Sequence, residues 1–101
     1  MSEGISKLMT VDQLSEAAEC LKVLAHPIRL RLIQLIKQDQ FTVGELAELC
    51  AIQSHVASEH LRLMQRCGLL NSEKDGRKVY YFIAQEEVGL LLELLEMKFG
   101  N

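Results

Sequence analysis

Four helices, a short β-hairpin and a fifth helix are the architecture this sequence predicts: a mainly α chain in which a helix-turn-helix is followed by a wing. Three observations carry the prediction. Between Phe41 and Gly68, two amphipathic helix patterns stand on either side of a short turn. Directly after them, two strand-like segments flank an Asp-Gly turn signal. Both ends of the chain carry apolar residues at helical spacing.

The elements follow in chain order. Thr10 can cap a first helix with Gln13 as its capping-box partner, and Val11, Leu14, Ala18, Leu21 and Ala25 form its apolar stripe. Pro27 suits the first turn of a second helix, where its missing N–H costs nothing. Ile28, Leu30, Leu32, Ile33, Leu35 and Ile36 make that helix the central core element. Thr42, with Glu45 three residues later, starts a third helix over Val43 to Leu49, and Val43, Leu46, Ala47 and Cys50 share one face. After Ala51-Ile52-Gln53, Ser54 is the expected N-cap of a fourth helix, whose buried stripe is Ala57, Leu61, Met64 and either Cys67 or Leu63. Gly68 supplies its left-handed stop. Leu69 to Glu73 and Lys78 to Ile83 then read as strands joined through Lys74-Asp75-Gly76-Arg77. The last helix, about Gln85 to Phe99, carries Val88, Leu90, Leu91, Leu92, Leu94, Leu95, Met97 and Phe99, too many for one buried face.

With 101 residues the chain reads as a single domain, residues 1–101. Nearly half the residues are apolar and a quarter charged, which excludes a disordered chain. No apolar run approaches the ~20 residues needed to cross a bilayer, and Met1 to Thr10 lacks the segments of a signal peptide. A cytoplasmic protein with no membrane partner is expected, and its three cysteines should be reduced thiols.

The second helix of a helix-turn-helix enters the major groove with its N-terminal residues against base edges. Here those residues are Gln53, Ser54, His55, Ser58 and Glu59, with His60 and Arg62 further along. They are small or polar hydrogen-bonding groups, as base and phosphate contact requires. A polar helix face alone is ordinarily a solvated one; the basic hairpin that follows, with Lys74, Arg77 and Lys78, reverses that reading toward double-stranded DNA. The net charge of −3 conceals an asymmetry. Gln53 to Tyr81 holds five basic residues against three acidic ones, and Lys22 to Lys37 adds four more with no acid, leaving the remainder acidic.

On these residues the sequence resembles the ArsR/SmtB family of winged-helix repressors. The carrying segments are Leu21 to Leu32, similar to the family's "LKALAHPxRLxIL", then Val43-Gly44-Glu45-Leu46, Ser58-Glu59-His60-Leu61, Gly68-Leu69-Leu70 and Gly76 to Tyr81. The resemblance implies a homodimer, joined through its first and last helices, acting as a repressor on an inverted-repeat operator.

It also locates the family's effector sites. Thiol-type metal sensors read "ELCVCDL" along the third helix, where Gly44 stands in place of a cysteine. The last-helix zinc site of other members uses Asp and His, of which Gln85 to Asn101 has none, only Glu86, Glu87, Glu93 and Glu96. No metal and no cofactor are therefore expected, and His26, His55 and His60 fall in framework or DNA-facing positions. Cys20, Cys50 and Cys67 remain as candidate thiol switches, against the plainer reading of small buried hydrophobes. No phosphate loop, nucleophile elbow or metal-assisted centre suggests an enzyme. The remaining alternative is a winged-helix protein-interaction module without an effector, against which the basic residues of the fourth helix and hairpin argue.

Overall fold

A computed structural model describes residues 7–100 and comprises α1 (Val11–Leu24), α2 (Pro27–Gln38), α3 (Val43–Leu49), α4 (Ser54–Arg66), the antiparallel strands β1 (Leu70–Asp75) and β2 (Lys78–Ile83), and α5 (Glu86–Phe99). The first part of the expected leader-free segment, residues 1–6, and Asn101 lie outside the described residues.

Local capping sets most boundaries. Both predicted capping boxes form: Thr10 Oγ1 accepts from the Gln13 N–H at 3.1 Å and Thr42 Oγ1 from the Glu45 N–H at 3.1 Å, while each partner side chain accepts the cap residue's own N–H. Pro27 opens α2, capped by His26 Nδ1, which accepts from the Ile28 N–H. Helix α4 ends as predicted: Gly68 adopts φ +79°, and its N–H and that of Leu69 return to the carbonyls of Gln65 and Met64 in a Schellman motif. The same motif closes α3, with Ala51 at φ +55° in the place usually taken by glycine.

Two local expectations are corrected. Ser54 is the first residue of α4 rather than its cap; Gln53 holds the extended cap conformation, with no side-chain cap bond. The Schellman return of Ile52 to Ala47 leaves only one residue, Gln53, to turn the chain into α4, so the helix begins at Ser54, one position earlier than a Ser54 cap would allow. In the hairpin, Asp75 pairs with Lys78 inside the ladder, which reduces the loop to Gly76-Arg77. Positive φ occurs at the first of these two residues and not the second, the type II′ pattern rather than an Asp-Gly type I′ turn.

The core forms where α2, α3, α4, the hairpin and α5 converge. Leu32, Ile33, Leu46, Leu61, Met64 and Leu70 are fully buried, joined by Leu24, Tyr81, Val88 and Leu92. Neither Leu63 nor Cys67 completes the α4 stripe, since both are half-buried; Leu69 and Leu70 take over beyond the helix. A bridge between Thr42 and Tyr80 fastens the start of α3 to the wing, and Gln65 Nε2 donates to Ser72 Oγ at 2.9 Å to fasten α4 to it. On the far side, Lys37 reaches from α2 to the Gly89 carbonyl of α5 at 3.3 Å, and Gln34 donates to Glu96 at 2.8 Å.

The stripe on α1 is not used by this core. Leu8, Val11, Leu14 and Leu21 lie exposed, as do Leu90, Leu94, Met97 and Phe99 on α5. Only Leu24 is buried on α1, supported by half-buried Cys20 and Val23. Two helices thus present apolar faces that no other described residues cover.

Candidate nucleic-acid interface

Helix α4 turns about 100° per residue, so Ala57, Leu61 and Met64 line its inner side while His55, Ser58, Glu59, Arg62 and Arg66 line the opposite one. Burial follows this division: the first three are inaccessible, His55, Glu59, Arg62 and Arg66 are exposed, and Ser58 is half-buried. Gln53 and Ser54 are exposed at the N-terminal tip. The free N–H groups of this first turn carry no side-chain cap, which leaves them available to an acceptor such as a phosphate oxygen.

The wing tip adds Lys74, Arg77 and Lys78, all exposed, with Arg77 in the two-residue loop and Lys78 at the start of β2. The Gln65–Ser72 and Thr42–Tyr80 links hold this hairpin against the helix pair. The structure therefore joins Gln53, Ser54, His55, Ser58 and Arg62 to a basic hairpin on one body.

His60 stands apart from that set. It is half-buried, accepts at Nδ1 from Arg29 Nε at 3.1 Å, and packs against the ring of His26 with centroids 4.7 Å apart. The signal was present in the sequence, because His60 is three residues from Ala57 and four from Met64 and so shares their side of the helix. Arg29 and Gln65, which position α4 and the wing, were missed for a different reason: their partners lie on other elements. Burial, followed by the nearby His26 and Arg29, holds the His60 imidazole below its ordinary 6.5, while Glu59 acts in the opposite direction.

The three thiols are all half-buried and free. Cys20 Sγ on α1 donates to the Cys67 carbonyl at the end of α4 at 3.7 Å. Cys50, the C-cap of α3, has its thiol pushed up by burial, with Arg31 acting against the shift. The family's two metal positions do not fit a metal. Gly44 offers no donor, and among the α5 carboxylates Glu93 and Glu96 already face Lys37 at 3.9 and 3.8 Å. Among the described residues, no three His, Cys, Asp or Glu side chains converge as a ligand group.

A family model described as a helix-turn-helix domain matches residues 24–73. The biofilm growth-associated repressor of Agrobacterium fabrum is 32% identical over 81 residues, spanning 80% of this chain and 69% of the relative. A transcriptional repressor SmtB homolog from Synechocystis is 32% identical over 82 residues, spanning 81% of this chain and 62% of the relative. The chain belongs to the ArsR/SmtB family. Solved structures of family relatives share its fold. HlyU from Vibrio cholerae superposes with a TM-score of 0.83 at 27% identity, covering 91% of this chain and 100% of HlyU. The homodimeric winged helix-turn-helix DNA-binding domain of a possible ArsR-family regulator from Mycobacterium bovis gives 0.77 at 29% identity, covering 85% and 80%. As a family member the chain is a winged-helix transcriptional regulator; among the described residues, no helix is long and apolar enough to cross a membrane.

Proposed function

We propose that this protein is a homodimeric, cytoplasmic repressor that binds an imperfect inverted repeat in duplex DNA, with the two α4 helices in successive major grooves roughly 34 Å apart. One observation carries the reading: the outer face of α4 and the tip of the hairpin both present polar and basic side chains to solvent, and the Gln65–Ser72 hydrogen bond fastens the hairpin to that helix. Ser54, His55 and Ser58 supply base contacts, with Gln53 beside them at the tip. Arg62, Lys74, Arg77 and Lys78 neutralise phosphates. His60 acts on DNA only through the position of the helix.

The uncovered apolar faces of α1 and α5 support dimerisation through a second copy of the chain. With a modest basic surplus, each protomer alone would bind weakly, and two linked half-sites supply both affinity and specificity. The protein has no catalytic role in this reading. Its effector is not of the usual metal types. Cys20 is the thiol best placed to act as a switch, because its sulfur joins the dimer-side helix to the end of α4.

Duplex binding at several salt concentrations, with sedimentation of the free protein, tests the proposal. A dimer whose log affinity falls linearly with log salt supports it. A monomer at micromolar concentration that no duplex engages would refute it and favour a winged-helix protein-interaction module.

A further inference from the structure

Arg29 makes the contacts that tie three helices together. Its Nη1 donates to the Val23 carbonyl in the last turn of α1 at 3.0 Å, and its Nε donates to His60 Nδ1 on α4 at 3.1 Å, while the residue itself belongs to α2. His26 completes the group. It caps α2 by accepting from the Ile28 N–H through Nδ1 at 3.1 Å, and its ring packs on that of His60.

Both imidazoles use Nδ1 as an acceptor, so both are neutral and carry their single proton on Nε2. Neither ring then has a free lone pair, which disqualifies the pair as a metal site in this arrangement. Protonation would place an N–H on His60 Nδ1 directly opposite the Arg29 Nε–H, turning an accepted hydrogen bond into a contact between two donors and two positive charges.

We propose that Arg29, His26 and His60 form a proton-sensitive clamp that sets the angle of α4 against the dimer-side helix α1, with neutral His60 as a positioning residue for DNA binding. The consequence for DNA rests on the function proposed above; the existence of the clamp does not. The charged and titratable groups facing His60 are Arg29 on α2 and His26 before it, both opposing a further positive charge, and Glu59 on α4 itself, which favours one. Burial adds to the opposition, so the closed clamp belongs to the neutral ring.

The sign of the pH dependence follows. Since the folded protein holds His60 below its ordinary value, the clamp is fully formed above about pH 6.5 and is lost as pH falls through the depressed folded value. DNA binding should weaken with it. Positive charge added on the outer face of α4 would have the reverse effect, strengthening binding to phosphate. A loss of affinity on acidification therefore reports the inward ring rather than the outer face.

Two measurements on the whole 101-residue chain test the clamp. The first follows the ring-nitrogen NMR shifts of the free protein from pH 8 to 5.5. His60 should show Nε2–H with an unprotonated Nδ1 at pH 8 and should titrate below the ordinary histidine value. A proton on Nδ1, or titration at or above that value, would overturn the proposal. The second compares the pH profile of binding for the parent and His60→Gln, whose side-chain oxygen can accept from Arg29 without titrating, on a duplex enriched from a random-sequence pool by the parent. Between pH 8 and 5.5 the parent should lose at least fivefold in affinity and His60→Gln less than twofold. Parallel losses would refute the positioning role. If no duplex is enriched, the proposed function fails and the DNA consequence with it, whereas the nitrogen shifts still decide whether the clamp exists.

Discussion

Replacing Leu94 by glutamate on α5 separates folding from assembly. Leu94 is 62% exposed in the single chain, so roughly three-fifths of its burial energy is still available to a partner. Complete burial of a leucine side chain contributes about 1.5–3 kcal/mol, which leaves about 1–2 kcal/mol for the interface. A two-fold axis uses the residue twice, and about 2–4 kcal/mol lost per dimer corresponds to a roughly 30- to 700-fold rise in the dissociation constant. Burying a carboxylate without a partner adds to that loss. The fold should tolerate the change, because glutamate is as good a helix former as leucine and surface substitutions usually shift stability by no more than about 0.5 kcal/mol. Sedimentation at micromolar concentration should show a monomer for Leu94→Glu and a dimer for the parent, with matching far-UV circular dichroism. A variant that dimerises as tightly as the parent would remove α5 from the interface. A variant that loses helix would show that the exposed face is required within the single chain.

Other outcomes follow from the same structure. Lys74→Ala or Arg77→Ala should weaken binding to every duplex and lower the salt slope by about one ion per protomer, whereas Ser54→Ala, His55→Ala or Ser58→Ala should relax sequence preference, as read by competition between duplexes. Thr42→Ala should cost about 1 kcal/mol in denaturant unfolding by removing the α3 cap. Hydrogen bonds from the Thr42 backbone and then its hydroxyl hold the Glu45 carboxyl below 4.5, so its stabilising contribution is complete above that pH and lost as pH falls through the folded value; Glu45→Gln should flatten that acid limb in pH-dependent unfolding. Zinc, cadmium and arsenite at micromolar concentration should leave the DNA complex intact in a mobility-shift assay, and release that depends on Gly44 or the α5 carboxylates would contradict this. Peroxide or polysulfide should act through Cys20 before Cys67, which Cys→Ser variants will report; a response unchanged in Cys20→Ser would exclude this assignment.

The local rules that made the fold legible are short-range ones. Thr10 with Gln13 and Thr42 with Glu45 begin helices because a hydroxyl three residues from a carboxylate or amide satisfies free N–H groups wherever the chain goes. Gly68 ends α4 because an unbranched backbone can take positive φ without strain, and the 3.6-residue period alone assigns Ala57, Leu61 and Met64 to the inner side. The outer face of α4 and the basic hairpin were legible for the same reason, being fixed by spacing within one element.

What required the tertiary structure are the features in which two distant segments compete for the same atoms. Ser54 is a good cap in isolation, but the Ala51–Ile52 return to α3 uses the intervening residues and moves the cap to Gln53. Asp-Gly signals a turn, yet pairing of Asp75 with Lys78 draws the aspartate into the ladder. Spacing alone puts His60 on the inner side of α4, but the partner that satisfies it there, Arg29, lies 31 residues away and is brought to it only by the packed fold. Periodicity likewise found the apolar stripe of α1 without deciding whether the chain's own core or another surface would cover it. Helical spacing determines which residues share a face; only the packed arrangement of the other elements decides what that face meets.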